Sequence, residues 1–152
     1  MERWDFTPPP PSPLGDHDVV QEGEHLRGKW IALLVTGGIA AMKAPFVARA
    51  LRRQGAEVVA FVTEEALRYT TVDTLAWSTN HPVVTRLTPA AEHLAGKTPF
   101  DAYLVAPATY NTINKVRHGI ADNAVTATLA SALGRVGRGE TRILVVPTMH
   151  GS

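Results

Sequence analysis

The chain has 152 residues, enough for one domain with a real core, and its 45% hydrophobic and 19% charged content is that of an ordinary globular protein. A formal net charge of +1 suggests no nucleic-acid surface, and the absence of cysteine excludes disulfides and thiolate metal sites within this stretch. The apolar runs are of strand length, far short of the roughly 20 residues of a membrane span, and no basic start followed by an apolar stretch marks a secretory signal, so the default expectation is a cytoplasmic protein.

Residues 1–28 differ in composition from the rest. Pro8-Pro9-Pro10-Pro11-Ser12-Pro13 favours an extended polyproline path and excludes helix and ladder. Trp4, Phe6, Val19 and Val20 flank it. Two readings stand: a disordered leader, or an arm that packs its aromatics on a neighbouring subunit.

The ordered part is expected over 29–152. Trp30 to Val35 is a continuous apolar run, as in a strand buried on both faces, and Gly37-Gly38 ends it. Ile39, Met42, Phe46, Val47, Ala50 and Leu51 recur at helical spacing and predict one helix over 39–54 with these residues on its core face. Gly55 suits its C-cap. Glu57 to Val62 reads as a second strand, and Thr63-Glu64-Glu65 as a helix start with a hydroxyl cap. A short helix is expected over 72–79 and a short strand over Pro82 to Leu87. Ala102 to Ala106 reads as a third strand ending at Pro107. Asn111 to His118 and Asp122 to Leu133 read as helices parted by Gly119, with Asn111 or Thr112 as candidate cap of the first. Gly134 to Glu140 reads as a loop, and Arg142 to Val146 as a last strand stopped by Pro147. Strands alternating with helices imply an α/β fold around a parallel sheet, and no internal repeat is present.

Ligands of open parallel sheets bind beyond the carboxyl ends of the strands. Four such ends should converge: Thr36-Gly37-Gly38, Thr63, Pro107 to Thr112, and Pro147-Thr148-Met149-His150. At the first, glycines admit close backbone approach, and the helix beginning at Ile39 points free N–H groups at the turn, which suits a phosphate. A tight turn with no ligand is the alternative. The sequence TGGIAA lacks the spacing of the dinucleotide fingerprint, and no acid closes the second strand, which argues against NAD. Thr109, Asn111 and Thr112 offer donors and acceptors, or caps alone. His93 is a candidate base or anion-binding group, against the commoner reading of a surface histidine. No histidine spacing matches a metal site.

With these motifs in view, the chain resembles the homo-oligomeric flavin-containing cysteine decarboxylases, which include phosphopantothenoylcysteine decarboxylase and the lantibiotic peptidyl-cysteine decarboxylases. The likeness spans residues 29–152. Val35 to Lys43, reading VTGGIAAMK, is similar to the first loop of the coenzyme A branch, and PATYNT at 107–112 resembles the family's PASANT motif, with Thr109 for Ser and Tyr110 for Ala. Ile113-Asn114-Lys115 and Gly119 to Asn123 continue it. The resemblance implies a Rossmann-like, flavodoxin-like three-layer sandwich that binds FMN. Thr36, Gly37, Gly38, Ile39 and Thr63 would then hold its phosphate, and Pro107, Ala108 and Thr109 would complete the cofactor site. His93 is implied as base or orienting group, and Asn111 as the residue that positions flavin or substrate. Met149 and His150 fall in the family's second signature, where His150 replaces a substrate-contacting Asn. The rest of that signature and the substrate flap have no counterpart before Ser152, so the C-terminal part is expected to be truncated.

The activity implied is FMN-dependent decarboxylation of a cysteine-derived carboxylate, on a small molecule or a peptide end. The flavin would lie at a subunit interface of a trimer or dodecamer. Three other readings remain: a flavoprotein of this fold with another substrate, a flavin prenyltransferase, and a non-catalytic FMN-binding regulatory subunit. The prenyltransferases usually carry a Ser-Gly-Ala-Ser-Gly type first loop, which this chain lacks.

Overall fold

The computed structural model describes residues 4–92 and 100–148. His93, Met149 and His150 lie outside the described residues. The described strands are β1 (Trp30–Val35), β2 (Glu57–Val62), β3 (Ala102–Thr109) and β4 (Arg142–Thr148). The helices are α1 (Ala44–Arg53), α2 (Val72–Thr79), α3 (Tyr110–Arg117) and α4 (Ala124–Gly137), with single 3-10 segments at Ile39–Lys43 and Glu65–Arg68.

Among the described residues the strands form one parallel sheet in the order β2-β1-β3-β4. Alternate residues of β1 feed two cores, as the period of a strand requires. Ile31, Leu33 and Val35 pack with Ala41, Ala44, Ala48 and Leu75 on one side. Ala32 and Leu34 pack with Tyr103, Val105, Val125 and Leu129 on the other. Helices therefore cover both faces, giving the three-layer α/β sandwich expected. β1 runs through the centre and is at most 6% exposed from Ile31 to Val35. No helix among the described residues is long and apolar enough to cross a membrane.

Several boundaries differ from expectation. The helix expected over 39–54 is broken. Pro45 sits in the first turn of α1, where its missing N–H costs nothing, and an α-helix running through it would clash with the carbonyl four residues back. The 3-10 segment fills the gap. Its facing also differs: Ala41, Ala44 and Ala48 face the sheet, while Ile39, Met42 and Phe46 are 69%, 52% and 74% exposed. Small side chains let the helix approach the strands closely, and the larger ones are left outside. Pro82 to Leu87 is not a strand. It contributes one parallel bridge, Phe61 to Val84, through Val62 N–H to the Val84 carbonyl at 3.0 Å and Val84 N–H to the Ala60 carbonyl at 2.9 Å.

Neither proline ends its strand. β3 passes Pro107 through a register shift between Val105 and Ala108, and β4 passes Pro147 at the sheet's edge, the two settings in which a missing donor is tolerated. α4 continues through Gly134 to Gly137, where a loop was expected.

The segment before β1 closes α1. The last carbonyls of a helix lack intrahelical partners. Glu22 and Gly23 N–H donate to the Arg53 carbonyl at 2.9 and 3.1 Å, and Leu26 N–H donates to that of Gln54 at 2.8 Å. Gly55, at φ +93°, turns the chain there, where a side chain would be strained.

Candidate functional site

β1 leads through α1 to β2 on one side, while β3 pairs on its other side, so the strand order reverses between β1 and β3. Beyond that switch point lies a cleft of about 380 Å³, lined by Gly37, Gly38, Thr63, Thr109, Asn111 and Lys115, with Glu64, Glu65, Thr112, Asp122 and Asn123. A second depression of about 410 Å³ shares Thr63, Glu64, Asp122 and Asn123 and extends the cleft toward Arg86.

The first wall is the turn after β1. Thr36 is 1% exposed. Its hydroxyl donates to the Pro107 carbonyl at 2.7 Å and accepts from Thr109 N–H at 2.9 Å. Its proton is thus committed, and Thr36 stitches the glycine turn to the end of β3. Gly37 is packed against β2's loop, since a Cβ there would stand 3.0 Å from that of Glu65. Gly38 has φ +98°, a conformation that L side chains rarely adopt, and turns the backbone into the 3-10 segment. Ile39 projects outward, and Pro107 and Ala108 are buried within β3 behind the cleft.

The second wall is the start of α3. Thr109, rather than Asn111 or Thr112, is its cap: the Thr109 hydroxyl accepts from Thr112 N–H at 3.3 Å and donates to the Thr112 hydroxyl at 3.1 Å. With that task taken, the exposed Asn111 amide makes no side-chain bond among the described residues, and the Thr112 hydroxyl proton is uncommitted. Thr63 closes the third side. Its hydroxyl accepts from Ala66 N–H at 3.3 Å, the local cap expected, and keeps its proton for another acceptor.

Five lining residues were given no site role by sequence reasoning: Glu64, Glu65, Lys115, Asp122 and Asn123. Lys115 Nζ donates to both carboxylate oxygens of Asp122, at 2.8 and 3.1 Å. That bond holds the Asp122 carboxyl below its ordinary value, against the opposing effect of desolvation and with the added attraction of the ammonium. Asn123 caps α4 by accepting from Thr126 N–H at 2.9 Å, and the Thr126 hydroxyl accepts from Asn123 N–H at 3.1 Å. The sequence did carry a signal for it, an Asn three residues before a Thr at the head of an apolar helix.

The donor set suits a flavin phosphate: backbone amides at a glycine turn and helix start, two hydroxyl protons, a free carboxamide and an ammonium. Glu65 is drawn to Arg68 at 3.2 Å. Thr63, Thr109 and Asn111 are thus brought into one cleft with Gly37 and Gly38, while Thr36, Pro107 and Ala108 support it from behind.

Comparison with known proteins gives the family of the chain. The profile of the family described as Flavoprotein matches residues 19–152. The coenzyme A biosynthesis bifunctional protein CoaBC of Thermococcus kodakarensis is 40% identical over 131 residues, which is 84% of this chain and 31% of the relative. That of Methanocaldococcus jannaschii is 36% identical over 125 residues, 82% of this chain and 30% of the relative. The chain thus spans under a third of the length of these relatives. Among solved structures, the FMN-dependent cysteine decarboxylase SpaF has a TM-score of 0.71 at 27% identity, covering 83% of this chain and 71% of that one. The cypemycin decarboxylase CypD has a TM-score of 0.68 at 26% identity, covering 84% and 72%. With a parallel sheet, a polar cleft at its switch point and a family match across nearly the whole chain, this protein belongs to the Flavoprotein family.

Proposed function

We propose that this chain holds FMN in the cleft between β1 and β3 and serves the decarboxylation of a cysteine-derived carboxylate, on a phosphopantothenoylcysteine-like molecule or a peptide ending in cysteine. The observation that carries the reading is the Thr36 hydroxyl, which bonds the TGG turn to the PATYNT segment and so makes one site of two separate motifs. The CoaBC relatives and the cysteine decarboxylase SpaF support it.

Bound FMN would supply the oxidising power, taking hydride from the carbon next to sulfur so that the carboxylate can leave as CO₂. The chain's own residues bind and orient. The Gly37, Gly38 and Ile39 backbone and the Thr63 hydroxyl are assigned to the phosphate. Pro107, Ala108 and Thr109 form the supporting wall, and the free Asn111 amide is assigned to orienting flavin or the substrate carboxylate. By family resemblance His93 is assigned as base or orienting group, and Met149 and His150 as substrate contacts. The same resemblance assigns a homo-oligomer, a trimer or dodecamer, in which a neighbouring subunit completes the site, and a cytoplasmic location stays the default of the sequence.

A flavoprotein acting on another substrate is the second reading. Tyr110, 65% exposed and next in sequence to Asn111 where the family motif has Ala, favours it as a departure from that motif. The test is CO₂ release by the FMN-loaded protein from a peptide ending in cysteine and from phosphopantothenoylcysteine. Release that Asn111→Asp reduces while flavin stays bound supports the decarboxylase. A flavin-loaded protein inert toward both substrates favours the second reading.

A further inference from the structure

Away from the cleft, a groove of about 370 Å³ runs between α1 and α2, lined by Met42, Phe46, Arg49, Tyr69, Thr74 and Trp77. Its four large apolar side chains are 36–74% exposed, at Tyr69, Trp77, Met42 and Phe46. Such a contiguous patch marks an interaction surface more often than a scattered exposed residue does. The Arg49 guanidinium lies 4.4 Å over the Trp77 ring and gives the groove a positive charge. Its one hydrogen bond among the described residues is long, 3.4 Å to the Asp18 carbonyl.

The N-terminal arm carries the complementary chemistry. Trp4 and Phe6 are 85% and 89% exposed, Asp5 lies between them, and the run Pro8 to Pro13 is exposed throughout. Proline-rich segments dock in grooves lined by aromatic side chains, because their extended path is already ordered before binding. These residues also lie outside the 19–152 matched by the family, so the arm is an addition to the shared domain.

The arm leaves from the groove's own rim. The His17 ring is 6.3 Å from that of Trp77, and the His17 carbonyl accepts from Arg52 at 2.9 Å. Beyond a turn at Asp16-His17, a polyproline path of about 3.1 Å per residue over Pro8 to Pro13 sets Phe6 roughly 19 Å along the chain from that rim. The exposure of Trp4 and Phe6, 85% and 89%, shows that neither ring is packed in the groove of its own copy.

We propose that Trp4 to Pro13 of one copy dock in the α1–α2 groove of a second copy, with the Trp4 and Phe6 rings against its aromatic lining and Asp5 facing Arg49. The contact is independent of the flavin reading. Because the chain has no cysteine, single thiols can report it. Differently tagged full chains carrying Thr7→Cys, in the arm, and Asp73→Cys, beside Thr74, are co-expressed and treated with a short bismaleimide. A covalent heterodimer is expected. Adding Trp4→Ala and Phe6→Ala to the Thr7→Cys chain should reduce its yield at least about fivefold, the effect of removing two aromatic anchors. Both rings are exposed, so the thermal melt should not move. A cross-link formed only within a chain carrying both thiols would place the arm on its own groove and overturn the proposal. So would a heterodimer yield that ignores the loss of Trp4 and Phe6, or no heterodimer at all.

Discussion

The cleft between β1 and β3 and the groove between α1 and α2 are nearly equal in size, about 380 and 370 Å³, and are built in opposite ways. In the cleft, glycines and short polar side chains form the walls, and side-chain hydrogen bonds fix the backbone: Thr36 to Pro107 and Thr109, Thr109 to Thr112, Asn123 to Thr126. In the groove, large apolar side chains stand half out of water, and the hydrogen bonds of Thr71, Thr74 and Ser78 serve the cap and first turns of α2. A site for a small charged ligand needs donors held in place before the ligand arrives, so its polar atoms bond first to the protein. A surface for another chain gains chiefly from apolar area still to be covered.

Substitutions should separate the two regions. Thr36→Val should act most strongly. It removes the buried bond to the Pro107 carbonyl and the partner of the part-buried Thr109 N–H, at a cost of about 1–3 kcal/mol in thermal or urea melts, and should weaken FMN binding by loosening the turn. Arm cross-linking should be unchanged; a simultaneous loss of both would break the distinction. Asn123→Ala should cost about 1 kcal/mol of stability through loss of the α4 cap, measured by urea titration, with Asn123→Asp retaining most of it.

Asp122→Asn should have a smaller, pH-dependent effect. The folded carboxyl is held below its ordinary value, so the pairing with Lys115 stabilises the fold above that value and is lost as pH falls through the lowered one. The wild type should therefore melt slightly above Asp122→Asn near neutral pH, with the difference vanishing below about pH 4. A difference that persists in acid would contradict the assignment. Trp77→Ala should leave FMN affinity within about twofold, since Trp77 lies on the other surface and sites without shared partners act independently.

The sheet was legible because β1 and β2 are unbroken apolar runs with a turn signal after each. Burial along those runs was less so. Leu144, Val145 and Val146 of β4 read like Leu33, Leu34 and Val35 of β1, yet they are about half exposed because β4 lies at the edge. Position in a sheet is a property of the whole fold, absent from a six-residue run. The α1 face was misread because residue size stood for burial, whereas close approach to the strands selected Ala41, Ala44 and Ala48. In the cleft, the turn at 36–38 and the segment 107–112 were legible as motifs. The use of Thr36 was not, since its partners lie 71 and 73 residues away. Lys115 and Asp122 face each other only because the chain turns at Gly119, φ +70°.

The central claim is that the cleft at the β1–β3 switch point holds FMN. The direct measurement is titration of the purified chain with FMN, followed by the flavin's absorbance and fluorescence. One FMN per chain is predicted, half-bound below about 10 μM, with weaker binding in Thr36→Val and unchanged binding in Trp77→Ala. A wild-type protein that is folded, colourless and takes up no FMN would contradict the account.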